Sequence, residues 1–111
     1  MVEYVDAKRV PYRTVEARSF SLRLRGLMFR SAWPGEWSAV HFPRCRSVHT
    51  FFTNLRFDLV FLDRGARVTR CVEQTGLFRL YFGPSRTVDT LEMPEGAIRR
   101  MDLKVGDRLE W

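Results

Sequence analysis

Residues 48–65 read VHTFFTNLRFDLVFLDRG, and within them Phe57-Asp58-Leu59-Val60-Phe61-Leu62 is apolar at five of six positions. A short run of aromatic and branched side chains that stops at a turn is the pattern of a strand covered on both faces. Asp63-Arg64-Gly65 supplies that turn, since glycine tolerates a positive φ, and residues 68–73 follow as the return strand of a hairpin. The same stretch holds His49, one of two histidines, and a carboxylate stranded in the apolar run, Asp58. Removing even a neutral polar group from water costs on the order of 2–7 kcal/mol unless hydrogen bonds meet it, so Asp58 demands partners.

Outward from this hairpin the chain continues as short strands separated by turn signals. Residues 39–42 and 48–52 are strand candidates, divided by Pro43 and the basic Arg44-Cys45-Arg46. Residues 77–82 and 87–93, joined by Gly83-Pro84-Ser85, extend the series. Residues 97–101 make one helical turn, and Val105-Gly106-Asp107 leads into a last strand over 108–111. Toward the N-terminus, residues 10–17 have β character, with Pro11 placing them at a sheet edge or a strand start. Ser19 is an N-cap for a short helix, because Phe20, Leu24, Leu27 and Met28 recur at i, i+4, i+7 and i+8. Strands at intervals of roughly 8–12 residues, with helix confined to the first third, favour a small β-sandwich or partly open barrel over a parallel α/β sheet. One domain spanning residues 1–111 is the expected organisation.

Composition narrows the function classes. Hydrophobic residues make up 45% of the 111, enough for a single core. No apolar run is long enough to span a bilayer, and the opening MVEYVDAKRV lacks the apolar centre of an export signal. A cytoplasmic location, with Cys45 and Cys71 as reduced thiols in strands, is the matching expectation. The net charge is +6. Residues 1–56 carry ten Lys or Arg against four Asp or Glu, while residues 57–111 carry nine of each, so the excess lies in the first half. The basic residues are 17 Arg and two Lys, in runs no longer than two, without zinc-finger spacing, a basic heptad region or an RNP-like motif. Nucleic-acid binding is therefore not expected.

Three constellations carry possible chemistry. His49, Thr50 and Asp58, with Arg25 from the region around Gly26, form a candidate binding set for a small anionic or polar ligand. His49 and Asp58 are also the candidate catalytic pair of a hydrolase-type enzyme, an imidazole base oriented by a carboxylate. A turn between Phe52 and Phe57 would lay the strand of His49 antiparallel beside that of Asp58. Against catalysis, no Ser or Cys occupies a nucleophile-elbow setting, and bulky Phe51 and Phe52 flank Thr50. His41, Cys45 and His49 are spaced by four, but four extended residues span roughly 13 Å, so a shared metal is not expected. Trp33, Trp37, Tyr81, Phe82 and Trp111 are candidates to line an aromatic cleft. A glycine-rich phosphate loop, a CxxC site and a paired-carboxylate motif are missing from the sequence, so no cofactor is expected.

Three blocks taken together are similar to the domain of unknown function 192 family. They are Arg25-Gly26-Leu27-Met28-Phe29-Arg30, then Val48-His49-Thr50-Phe51 with Asp58 nine residues after the histidine, then Leu91-Glu92-Met93-Pro94-Glu95-Gly96 followed by Val105-Gly106-Asp107. The resemblance runs from about Ala17 to the C-terminus. It implies a mostly β domain in which the Gly-Leu-Met block ends or caps a helix, and it implies no established activity. The expectation is a binding or accessory module working beside His49, Thr50 and Asp58. The alternatives are the hydrolase-type enzyme and a protein-interaction domain that docks an acidic partner through the arginine-rich half.

Overall fold

All six side chains of Phe57–Leu62 are buried, so this strand lies inside a sheet covered on both sides. The computed structural model describes residues 8–9, 14–16, 39–50 and 55–110. They form strands β1 (Lys8–Arg9), β2 (Thr14–Glu16), β3 (Ala39–Phe42), β4 (Ser47–His49), β5 (Phe57–Leu62), β6 (Val68–Val72), β7 (Leu80–Phe82), β8 (Asp89–Pro94) and β9 (Leu109–Glu110), with a helical turn α1 (Ala97–Arg100) after β8. The helix expected from Ser19 and the loop of Trp33 and Trp37 lie outside the described residues.

Among the described residues the main sheet has five strands, in the order β2-β3-β8-β5-β6. β2 runs parallel to β3, and the other neighbours are antiparallel. Among the described residues β2 is an edge of this sheet, as Pro11 suggests. β4 and β7 pair antiparallel as a separate two-stranded ribbon, and β1 pairs β9 in parallel. The protein is mainly β, with its main sheet open rather than closed into a barrel.

Alternation along β5 sorts the core into two layers, because successive side chains point to opposite faces. Val60 and Leu62 join Leu91, Met93, Val68, Ala39, Leu103 and Leu109 on one side, where α1 adds Ala97 and Ile98. Phe57, Leu59 and Phe61 face the other way and meet Val48 and Tyr81 of the ribbon, with Leu55 and Val72. The ribbon is thus the cover of the second face. Its inner residues, Val48 and Tyr81, pack on the sheet, and its outer residues do not.

The β5–β6 hairpin forms where the sequence placed it, with one difference. Asp63 Oδ1 accepts the N–H groups of Gly65 and Arg67, each at 2.9 Å, which fixes the turn through the aspartate side chain. The positive φ falls on Ala66, at 61°, and not on Gly65. Further along, Phe61 pairs Arg70 while Leu62 pairs Val68, a bulge that leaves Thr69 as the extra residue. Val68 and Thr69 are consequently both buried, and the Thr69 hydroxyl meets that of Thr87 at 2.7 Å.

The expected adjacency of the His49 and Asp58 strands is replaced by a longer connection. β4 pairs β7, with Val48 opposite Tyr81 and His49 opposite Leu80, while β5 pairs β6 and β8. Cys45 sits in the turn between β3 and β4, whereas Cys71 lies on β6; both thiols are free.

Candidate functional site

Thr50 and Asp58 use their oxygens internally. Thr50 is 1% exposed and ends the ribbon strand. Its hydroxyl donates to the Gly76 carbonyl at 2.7 Å and accepts the Arg79 N–H at 2.8 Å, while its own N–H donates to the Arg79 carbonyl at 2.9 Å. Asp58 has no exposed surface. Oδ1 accepts the Gln74 N–H at 3.0 Å and Oδ2 the Ile98 N–H at 2.9 Å. The carboxylate therefore bridges α1 to the connection between β6 and β7, and Thr50 holds the same connection from the ribbon side. Charge-assisted bonds of this kind are what make a buried carboxylate affordable.

His49, by contrast, is exposed on the outer face of β4. Arg25 lies outside the described residues. Among the described members of the candidate set, His49 alone reaches solvent, and its register partner is Leu80.

A histidine–aspartate pair does form, at positions the sequence reading did not connect. His41 Nε2 lies 3.1 Å from Asp89 Oδ2, and Asp89 Oδ1 accepts the Arg44 N–H at 3.0 Å. His41 is 8% exposed, so the pair clamps β3, β8 and the turn after β3. The sequence gap of 48 residues hides it, since only the β3–β8 pairing brings the two together. His41, Cys45 and His49 are correspondingly spread over β3, a turn and β4, and the Cys45 thiol donates to the Ser47 carbonyl at 3.1 Å. No group of three His, Cys, Asp or Glu suited to a metal gathers among the described residues.

The aromatic cleft is not assembled from Tyr81 and Phe82, because neighbours on a strand point to opposite sides. Tyr81 turns inward, where its hydroxyl accepts the Gly76 N–H at 2.7 Å and the Arg70 guanidinium sits 5.9 Å from its ring centroid. Phe82 turns outward. Trp33, Trp37 and Trp111 are outside the described residues.

Two further titratable groups stand out. Burial pushes the Cys71 thiol up to about 11, with the charges of Asp107, Glu73 and Asp58 adding to it, so this sulfur stays protonated and is a poor nucleophile. Glu92, on the central strand β8, is 6% exposed, and burial pushes its carboxyl up to about 8. Among the described residues no donor or cation meets it. Its signal in the sequence is the one that singled out Asp58: a carboxylate inside an apolar strand, here between Leu91 and Met93.

The outer face of the ribbon is the remaining feature. Leu80 and Phe82, two apart on β7, are 57% and 56% exposed on that face, and Phe78, before the strand begins, is 68% exposed. Ser47 and His49 lie opposite Phe82 and Leu80 on that face.

Fold and surface together define a small open-sheet β domain with a ribbon laid over one face and an apolar row on the ribbon's outside. The chain belongs to the domain of unknown function 192 family, described as Uncharacterized ACR, whose model matches residues 3–111. Among solved structures, a protein of unknown function from Novosphingobium aromaticivorans is 24% identical, with a TM-score of 0.75 over 90% of this chain and 75% of that one. A proposed transcription regulator from Sinorhizobium meliloti is 23% identical, with a TM-score of 0.66 over 86% of this chain and 78% of that one. At such identities the likeness is one of fold. No curated protein matches the chain.

Proposed function

We propose that this protein is a binding module whose contact surface is the outer face of the β4–β7 ribbon, and that its partner is an acidic protein segment bearing apolar side chains. The observation that carries this is Leu80 and Phe82, two large apolar side chains more than half exposed on the outer face of β7, with Phe78 exposed just before the strand. A contiguous exposed apolar row marks an interaction site more often than a solvent-facing surface does. The charge around it gives the partner its sign. Residues 42–56 and 75–88 contain Arg44, Arg46, Arg56, Arg79 and Arg86 and no Asp or Glu. Carboxylates are the complement of the arginines in these segments.

A protein segment fits better than a nucleic acid. Leu80, on the outer face of β7, is aliphatic where a base-stacking platform would have an aromatic ring. The helix among the described residues is four residues long, too short to read a major groove. The Sinorhizobium meliloti neighbour is described as a proposed transcription regulator; a regulatory role for this chain would then rest on contact with another protein. Thr50 and Asp58 serve this reading by fixing the frame on which the ribbon is held.

The test is fluorescence anisotropy with a labelled peptide alternating glutamate with leucine or phenylalanine. Wild-type protein is expected to bind in the micromolar range, about −8 kcal/mol. Leu80→Ser with Phe82→Ser should weaken binding at least about tenfold, or roughly 1.4 kcal/mol, while leaving the melting temperature unchanged, since both side chains are exposed. Failure of the wild type to bind any such peptide would refute the proposal. Binding of single-stranded DNA in its place, steeply weakened by salt, would reassign the same surface to nucleic acid.

A further inference from the structure

Glu92 stands on the middle strand of the five, opposite Val40 of β3 and Leu59 of β5. Alternation along β8 places it on the ribbon-covered side of the sheet, with Thr90 and Pro94 as its same-face neighbours on β8. Thr90 donates its hydroxyl to the Cys45 carbonyl at 2.6 Å and is thereby occupied. Leu59 belongs with Phe57 and Phe61 to the cluster on which Val48 and Tyr81 of the ribbon pack. One side chain, Leu59, thus separates the carboxyl of Glu92 from the underside of the ribbon.

Among the described residues, the side chains beside Glu92 on the two neighbouring strands are apolar. β3 offers Val40 and Phe42 on this side, and β5 offers Phe57, Leu59 and Phe61. Beyond β5, β6 contributes Val72 and Arg70, and Arg70 is turned to the Phe82 carbonyl at 2.8 Å. From the ribbon comes Tyr81, whose hydroxyl is engaged with Gly76. Asp58 lies on the opposite face, since its register partner is Met93. Among the described residues, nothing on this side offers a charge to balance an ionised Glu92.

We propose that Glu92 is a proton-operated brace beneath the contact surface: protonated, it lets the face close under the ribbon, and ionised, it draws water into that face and loosens the ribbon. A buried carboxylate without a partner is costly, whereas its acid form is tolerated. The group's raised value supports this. The folded state holds the proton where the unfolded chain releases it, so stability is fully present below about 4.5 and is lost as pH rises toward about 8. Over that window the unfolding constant should climb by up to about tenfold per pH unit through this group alone. The regulatory part of the inference rests on the ribbon being the binding surface; the brace itself does not.

Carbon-13 NMR of the Glu92 carboxyl in the wild-type protein measures its titration directly, with an expected midpoint near 8. The Val48 methyl shifts should follow the same midpoint, and they should stay flat in Glu92→Gln. The affinity of the glutamate–leucine peptide should fall above that midpoint in the wild type and not in Glu92→Gln. If the peptide never binds while the Val48 shifts still track Glu92, the binding reading fails and the brace stands. A Glu92 midpoint near the ordinary 4.5, or Val48 shifts with the same pH profile in both proteins, overturns the brace whether or not the variant folds well.

Discussion

Asp58 and Glu92 occupy adjacent strands on opposite faces, and each meets the cost of burial in its own way. Asp58 remains a double acceptor, with one backbone N–H on each oxygen. Asp58→Asn should therefore cost on the order of 1–3 kcal/mol, because an amide NH2 would confront an N–H where an acceptor is needed. A urea midpoint lowered at unchanged m would show it; an unchanged midpoint would mean that the two bonds contribute nothing net. Ala66 makes the opposite case. It holds a φ of 61° although it has a Cβ, and the left-handed conformation costs roughly 1–2 kcal/mol for an L-residue against about 0.5–1 kcal/mol of added chain entropy for glycine. Ala66→Gly should thus gain up to about 1 kcal/mol, read as a higher melting temperature, and a lower one would show that the Asp63 side chain has already absorbed the strain.

At the scale of elements, local pattern settles where a strand lies and leaves open what it pairs with. Residues 39–42 and 57–62 form strands over the whole lengths their apolar runs indicated. The ribbon strands are shorter than expected: β4 stops at His49, and β7 begins only at Leu80, after Phe78 takes a φ of 54°. Their pairing joins residues 33 positions apart at Val48 and Tyr81, with a whole hairpin between them, so no turn signal announces it. The candidate site was legible in the same uneven way. That Asp58 needs partners followed from its apolar neighbours alone, but the donors came from Gln74 and Ile98, which only tertiary structure brings near. Spacing points to a histidine–aspartate pair between near neighbours in sequence, whereas one forms between His41 and Asp89 through strand pairing. The exposure of Leu80 and Phe82 is hidden in the sequence because alternation on a two-stranded ribbon looks the same whichever face is covered.

For the molecule as a whole, the decisive quantity is how its net charge of +6 is employed. Several arginines spend their guanidinium groups on backbone carbonyls. Arg67 donates to Gly106 at 2.9 Å, Arg70 to Phe82 at 2.8 Å, Arg56 to Thr75 at 3.3 Å and Arg100 to Glu95 at 3.3 Å. Arg99 lies 3.6 Å from Glu73, an exposed pair of small energetic weight. Among the described residues these arginines tie down loops and chain turns, a task their planar fork performs better than an ammonium group. A nucleic-acid site would instead gather unengaged cations along one groove and release counterions on binding. The expected outcome is that duplex DNA at near-physiological salt binds no more tightly than the non-specific range, roughly 10⁻⁴–10⁻⁶ M. The acidic peptide should remain bound under the same conditions, because its apolar side chains on Leu80 and Phe82 are not screened by salt. Titrations of both at two salt concentrations separate the two chemistries. Tight DNA binding that collapses between them would show that the arginines act as a phosphate surface, and that the apolar row merely accompanies it.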